Sequence, residues 1–203
     1  MKNASRCLVA TFLALTTALA VVVVPRSPAT AHDDPAGIDY VLFWCKMPSS
    51  TVRWSDETGG GGYGQQAIEA AAAWDNYTPV TMQLVGTTPN LIVDQAYWGN
   101  TGWAGQTQAP ASNPSCAGGL AVWERLPLTS MLNTYYTDAY PADKRQSVFG
   151  HEIGHALGIN HQSHPGNTCG GLALMYYTVA FRYDTCSQFL PQSDDVAAIN
   201  FIY

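Results

Sequence analysis

Apolar residues recur at near-helical spacing over 65–77, where Ile68, Ala71, Ala72 and Trp74 line one side of an Ala-rich stretch. That pattern predicts a first helix ending before Pro79. Residues 38–54 mix aromatic and β-branched side chains (Tyr40, Val41, Phe43, Val52, Trp54) and predict strand. Two further strands are expected over 80–85 and 91–95, separated by Gly86-Thr87-Thr88-Pro89-Asn90. Residues 98–119, rich in Gly, Asn, Ser and Pro, predict mostly loop, and 120–123 a short strand. Residues 147–158 predict a helix, 160–187 a long irregular segment, and 193–202 a closing helix. Ser193 is the expected N-cap, with Asp194 and Asp195 in the first turn. Strands gathered early around one helix, then a long helix, predict an α+β domain with a mixed sheet.

Composition narrows the picture. The chain has 203 residues, 47% hydrophobic and 12% charged, which excludes a disordered tail protein, a collagen-like repeat and a long coiled coil. Lys2 and Arg6 precede an uncharged apolar run over 7–24, and Ala29-Thr30-Ala31 offers a small-x-small cleavage site. Residues 1–31 are therefore expected to be a secretory signal, and residues 32–203 one domain. Lys2, Arg6 and Arg26 fall in the first part, so the remainder sets 6 basic against 15 acidic residues, a balance of −9. An acidic surface of this kind argues against nucleic-acid partners, and against membrane association once the signal is removed.

Export also removes Cys7. Cys45, Cys116, Cys169 and Cys186 remain, an even count that favours two disulfides in an oxidising compartment. Three pairings are open; the preferred one is Cys45–Cys116 with Cys169–Cys186, whose second member closes one short loop. No Cys-x-x-Cys spacing supports a cysteine zinc site. The glycine-rich stretch 58–64 lacks the Gly-Lys-Ser/Thr ending of a phosphate loop and reads as a connection.

The chemistry concentrates in His151-Glu152-Ile153-Gly154-His155-Ala156-Leu157-Gly158-Ile159-Asn160-His161. On a helix, His151 and His155 lie one turn apart on one face and can bind a single Zn²⁺. Glu152 is placed to approach a water on the metal without coordinating it. Gly158 can take the left-handed conformation that ends the helix, which lets His161 fold back as third ligand. Three protein ligands leave a fourth position open, as in a catalytic site.

His-Glu-x-x-His-x-x-Gly-x-x-His resembles the signature of the metzincin clan of zinc endopeptidases. Leu174-Met175-Tyr176 resembles the clan's methionine turn, which implies that Met175 forms an apolar floor beneath the metal. The resemblance implies a zincin-like domain: a twisted mixed sheet, a first helix, a zinc-binding active-site helix and a C-terminal helix. It also implies that Gly102, Trp103, Ala104 and Gly105, within 102–107, form an edge strand that pairs with an extended peptide substrate. Residues 190–203 resemble the matrixin C-terminal helix. Within the clan, His161 as third ligand is closest to matrixins and their bacterial relatives.

The match has departures. Tyr177 stands two residues after Met175, as in astacin-like and serralysin-like enzymes, where matrixins generally have proline. Tyr177 is thus either a catalytic phenol or a pocket-wall aromatic. No cysteine switch is present, so no long inhibitory propeptide is expected. His32 and His164 are the only histidines left for a second zinc site, and His164 reads as a loop residue. The acid count allows structural Ca²⁺, but no loop has calcium-ligand spacing. Trp44, Trp74 and Trp123 read as core aromatics; Trp98 and Trp103 fit either the core or a substrate groove. The expected activity is secreted, zinc-dependent endopeptidase cleavage by a monomer; the alternative is an exported zinc- or peptide-binding module of the same fold without catalysis.

Overall fold

The computed structural model describes residues 31–33, 39–60, 62–109, 116, 119–162 and 168–203. The expected secretory segment up to Thr30, and His164, lie outside the described residues. Strands β1 (Ala31–Asp33) and β2 (Asp39–Val41) form an antiparallel pair, and β3 (Cys45–Lys46) follows. Then come β4 (Thr51–Asp56), helix α1 (Gly64–Tyr77), β5 (Thr81–Leu84), β6 (Leu91–Ala96) and β7 (Gly105–Gln108). After β8 (Ala121–Val122) and β9 (Leu128–Asn133) the chain is helical: a short α2 (Thr134–Thr137) and the long α3 (Ala142–Leu157). A π-helical turn (Ala180–Thr185) and α4 (Ser193–Ile202) complete it.

The main sheet has the order β5-β4-β6-β9-β7. The first four strands are parallel, and β7 is antiparallel to β9 at the edge. This is the mixed-sheet α+β architecture expected from the sequence. Helices α1 and α3 pack against the sheet. Trp74 of α1 is fully buried and donates from its indole nitrogen to Gly150 O in α3, 2.9 Å away. Phe149, Ile153 and Leu157 of α3 pack with Leu91, Leu128 and Leu132 of the sheet in one core.

Several expectations need correction. Residues 38–54 do not form one strand: they contribute β2, β3 and β4 to three different sheets. Trp44 at φ 63 breaks the extended run, so the chain can leave one pairing for the next. The edge strand is shifted: Gly105 belongs to it, but Gly102, Trp103 and Ala104 precede it. Gly102 has φ 83, and Asn133 ties the preceding loop by donating from Nδ2 to Gly99 O at 2.9 Å. Helix α3 begins at Ala142, after Pro141, rather than at 147. The segment 160–187 is not wholly irregular, because it contains the π-helical turn. Gln192, not Ser193, caps α4: its backbone N–H donates to Asp195 in a reciprocal capping box. Strand β9, central to the sheet, was not anticipated.

Candidate metal centre

Helix α3 presents His151, Glu152 and His155 on the side facing β7 and the segment after the helix. His151 and Glu152 are buried, at 4% and 5% exposure. Gly158 ends the helix at φ 114, with its N–H turned back to Gly154 O and His155 O. A Cβ there would overlap the carbonyl oxygen of Cys45, so the position needs glycine for space as well as for conformation. The bend is then clamped from outside. Phe43 N donates to Gly158 O at 2.9 Å, Asn160 N to Val41 O at 2.7 Å, and Leu42 bridges Ile159. Beyond His161, Gln162 N donates to Met175 O at 2.9 Å. His161 is therefore held between two anchored residues although its side chain is exposed.

The three imidazoles converge through one kind of atom. Nε2 of His161 lies 3.1 Å from Nε2 of His151 and 3.2 Å from Nε2 of His155. The opposite ring nitrogens face carbonyls: Nδ1 of His151 is 2.9 Å from Leu174 O, and Nδ1 of His155 is 2.8 Å from Ile159 O. A carbonyl only accepts, so each Nδ1 carries the proton and each Nε2 keeps its lone pair. Burial first, then the Arg182 charge, holds His151 well below the usual histidine pKa; burial and His161 bring His155 down to about 3. Both are neutral imidazoles near pH 7.

Met175 is fully buried against the backbone of α3 at Gly154, where a Cβ would overlap its sulfur. Its turn is fixed from α4: Asp195 accepts from Leu174 N at 2.7 Å and Met175 N at 3.1 Å. Burial pushes the Glu152 carboxyl up to about 7, against the opposing pull of the Thr107 hydroxyl and the Arg182 charge. Gly105 lies directly over this carboxylate, since a Cβ there would come within 2.7 Å of Glu152 Oε1.

A model of the matrixin family matches residues 99–203, half of the chain, and that span contains every residue of this cluster. The chain belongs to the matrixin family. Human neutrophil collagenase is 48% identical over 56 residues, 28% of this chain; the match spans only 10% of that protein's length. The structure of myroilysin aligns with 78% of this chain and 95% of its own, at 12% identity and a TM-score of 0.48. The matrixin family is zinc-dependent, and the donor set here suits that ion. The Nε2 lone pairs of His151 and His155 both face Nε2 of His161, at 3.1 and 3.2 Å, a grouping that a cation among the three rings would satisfy. Tetrahedral zinc with Zn–N near 2.0–2.1 Å sets its nitrogens about 3.3 Å apart.

Other residues singled out in this matrixin chain fall at varying distances from the cluster. The Tyr177 ring is 6.4 Å from the His161 ring and 62% exposed. Trp98 and Trp103 pack against each other at 6.4 Å, and Trp98 is exposed. Trp74 is core, and Trp44 and Trp123 pack at its margin. The disulfides are Cys45–Cys116 and Cys169–Cys186. Among the described residues no helix is long and apolar enough to cross a membrane.

Sequence reasoning missed Arg182. Its guanidinium is fully buried behind His151, donating from Nε to Ser147 Oγ at 3.0 Å and from Nη1 to Tyr176 O. It placed Thr107 in the edge strand without foreseeing its contact with Glu152, and it missed Ser130, whose hydroxyl meets Glu152 as well. An uninterrupted charge-poor stretch around a lone arginine, such as 169–183, was the available signal.

Proposed function

We propose that this chain is an exported zinc-dependent endopeptidase, with residues 1–31 as its secretory signal and residues 32–203 as its catalytic domain. Convergence of the Nε2 atoms of three histidines beside a buried glutamate carries the reading. His151, His155 and His161 would hold Zn²⁺, which supplies Lewis acidity toward water and the scissile carbonyl when bound. Glu152 takes the proton of the attacking water and returns it to the leaving amine. The substrate adds as an extended strand beside β7, whose outer edge has no neighbouring strand in the described sheet. Tyr177, exposed and near His161, lines the cleft. Two disulfides support an oxidising, extracellular destination. The active species is a monomer.

The test is digestion of a dye-quenched protein by the mature chain, with and without a chelator, beside Glu152→Ala. Hydrolysis abolished by the chelator, restored by Zn²⁺ and absent from a zinc-loaded Glu152→Ala chain is expected. Wild-type turnover by Glu152→Ala would sink the mechanism, and a zinc-loaded but inert wild type would favour a binding module.

A further inference from the structure

Strand β7 sends two side-chain positions toward α3: Gly105, which lies over Glu152, and Thr107. The Thr107 hydroxyl sits between three oxygens. It is 2.6 Å from Glu152 O, 3.0 Å from Glu152 Oε2 and 3.0 Å from Ser130 Oγ. Ser130, on the neighbouring strand β9, is itself 3.0 Å from Glu152 O. Two hydroxyls offer two protons, and the acceptors that cannot donate are one backbone carbonyl and one carboxylate oxygen. Thr107 is in donor position to two oxygens of Glu152, the carbonyl at 2.6 Å and Oε2 at 3.0 Å, and Ser130 is a second donor to the carbonyl, so the Thr107 hydroxyl is shared between the backbone and the carboxylate of Glu152. Thr107 and Ser130 are register partners in the β7–β9 ladder, so backbone pairing fixes both hydroxyls relative to one another. A valine would fill the same space on a strand but would lose the bond to the carboxylate.

We infer that Thr107 is a positioning residue for the general base: its hydroxyl orients the Glu152 carboxylate from the same strand that aligns the substrate. This rests on the endopeptidase reading above. Thr107 engages Oε2, which leaves Oε1, beneath Gly105, as the oxygen free to take a proton. Because the hydroxyl and the substrate-pairing backbone belong to one strand, the peptide and the base are registered to each other through β7 alone. The hydroxyl touches neither substrate nor metal, and its effect should fall on turnover rather than on binding.

The experiment compares Thr107→Val and Thr107→Ser with wild type in the zinc-loaded mature chain, measuring kcat, KM and zinc content. Thr107→Val should lower kcat by about tenfold or more with KM changed less than about twofold and zinc content unaltered. Thr107→Ser should recover most of the lost kcat. Wild-type kcat in Thr107→Val, or a Thr107→Ser variant as slow as Thr107→Val, overturns the inference. A second readout needs no turnover: melting temperatures of Thr107→Val, Glu152→Ala and the double variant. If Thr107 holds the carboxylate, the double variant loses less than the sum of the singles; strict additivity overturns the contact. Were the wild type inert, the endopeptidase reading would fall, while the melting cycle would still decide the Thr107–Glu152 contact.

Discussion

The Arg182 guanidinium lies 2.9 Å from Nδ1 of His151, on the side of the ring opposite the converging Nε2 atoms. Nδ1 also faces Leu174 O at 2.9 Å and carries its proton toward that carbonyl. Arg182 therefore donates elsewhere, to Ser147 and Tyr176, and packs against the imidazole as a buried cation. Burial lowers its pKa to about 10, so it stays charged at neutral pH. Arg182→Met should cost about 3 kcal/mol or more, because it strands several buried acceptors. Arg182→Lys should recover less than half, since an ammonium cannot reproduce the planar fork. Urea denaturation of the three proteins measures this, and a fully stable methionine variant would contradict it.

Gly105→Ala probes the space above the base. The added methyl would meet Val148 Cγ1 at 2.6 Å and Glu152 Oε1 at 2.7 Å. Val148 is buried in the core and gives way poorly, so the carboxylate must move. Turnover should fall at least about tenfold while zinc uptake stays at the wild-type level. Parallel kinetics and metal analysis check it; retained turnover would show that the carboxylate has room.

Gly158→Ala attacks the bend before His161. The backbone is at φ 114, and the methyl would run into Cys45 O, a main-chain atom pinned by the Cys45–Cys116 disulfide. The expected loss is about 3 kcal/mol or more, with weakened zinc binding because His161 is displaced. Thermal unfolding and zinc titration of the variant provide the measurement.

Alkaline pH should unfold the protein through Tyr203. Its hydroxyl accepts from Met47 N at 2.9 Å and donates to Leu157 O at 3.0 Å. Burial raises its pKa above the ordinary tyrosine value. The folded state therefore holds the phenolic proton more tightly than the unfolded chain. Stability from this group is fully present below about pH 10 and is lost as pH rises beyond it. Tyr63 and Tyr183, also raised by burial, add to the same slope. Tyr203→Phe should cost about 1–2 kcal/mol at neutral pH and flatten the alkaline decline of the urea midpoint.

The metal centre was legible because its information is local. His151, Glu152, His155, Gly158 and His161 lie within one helix and one turn, where periodicity and a glycine stop determine which side chains meet. Its supports were not. Ser130 and Asn133 are buried polar residues on β9, which spoil the alternation by which a strand is read. The acceptors of Arg182 come from α3 and the methionine turn, so only the assembled fold explains why that charge is inside. The edge strand was placed three residues early because the pinning of Gly99 and Trp103 O by Asn133 is a tertiary event.

The clamp of residues 41–43 on the bend at 158–160 sets an order in time. A chain is made from its N-terminus, and Leu42 must wait for Ile159 before the bridge between them can form. Helix α3 sets the spacing of two imidazoles within one element. The third arrives only when early and late segments have found each other, at the entropic cost of a long closure. Two of the three imidazoles are thus set by one helix, and the third by a contact between the early and late parts of the chain.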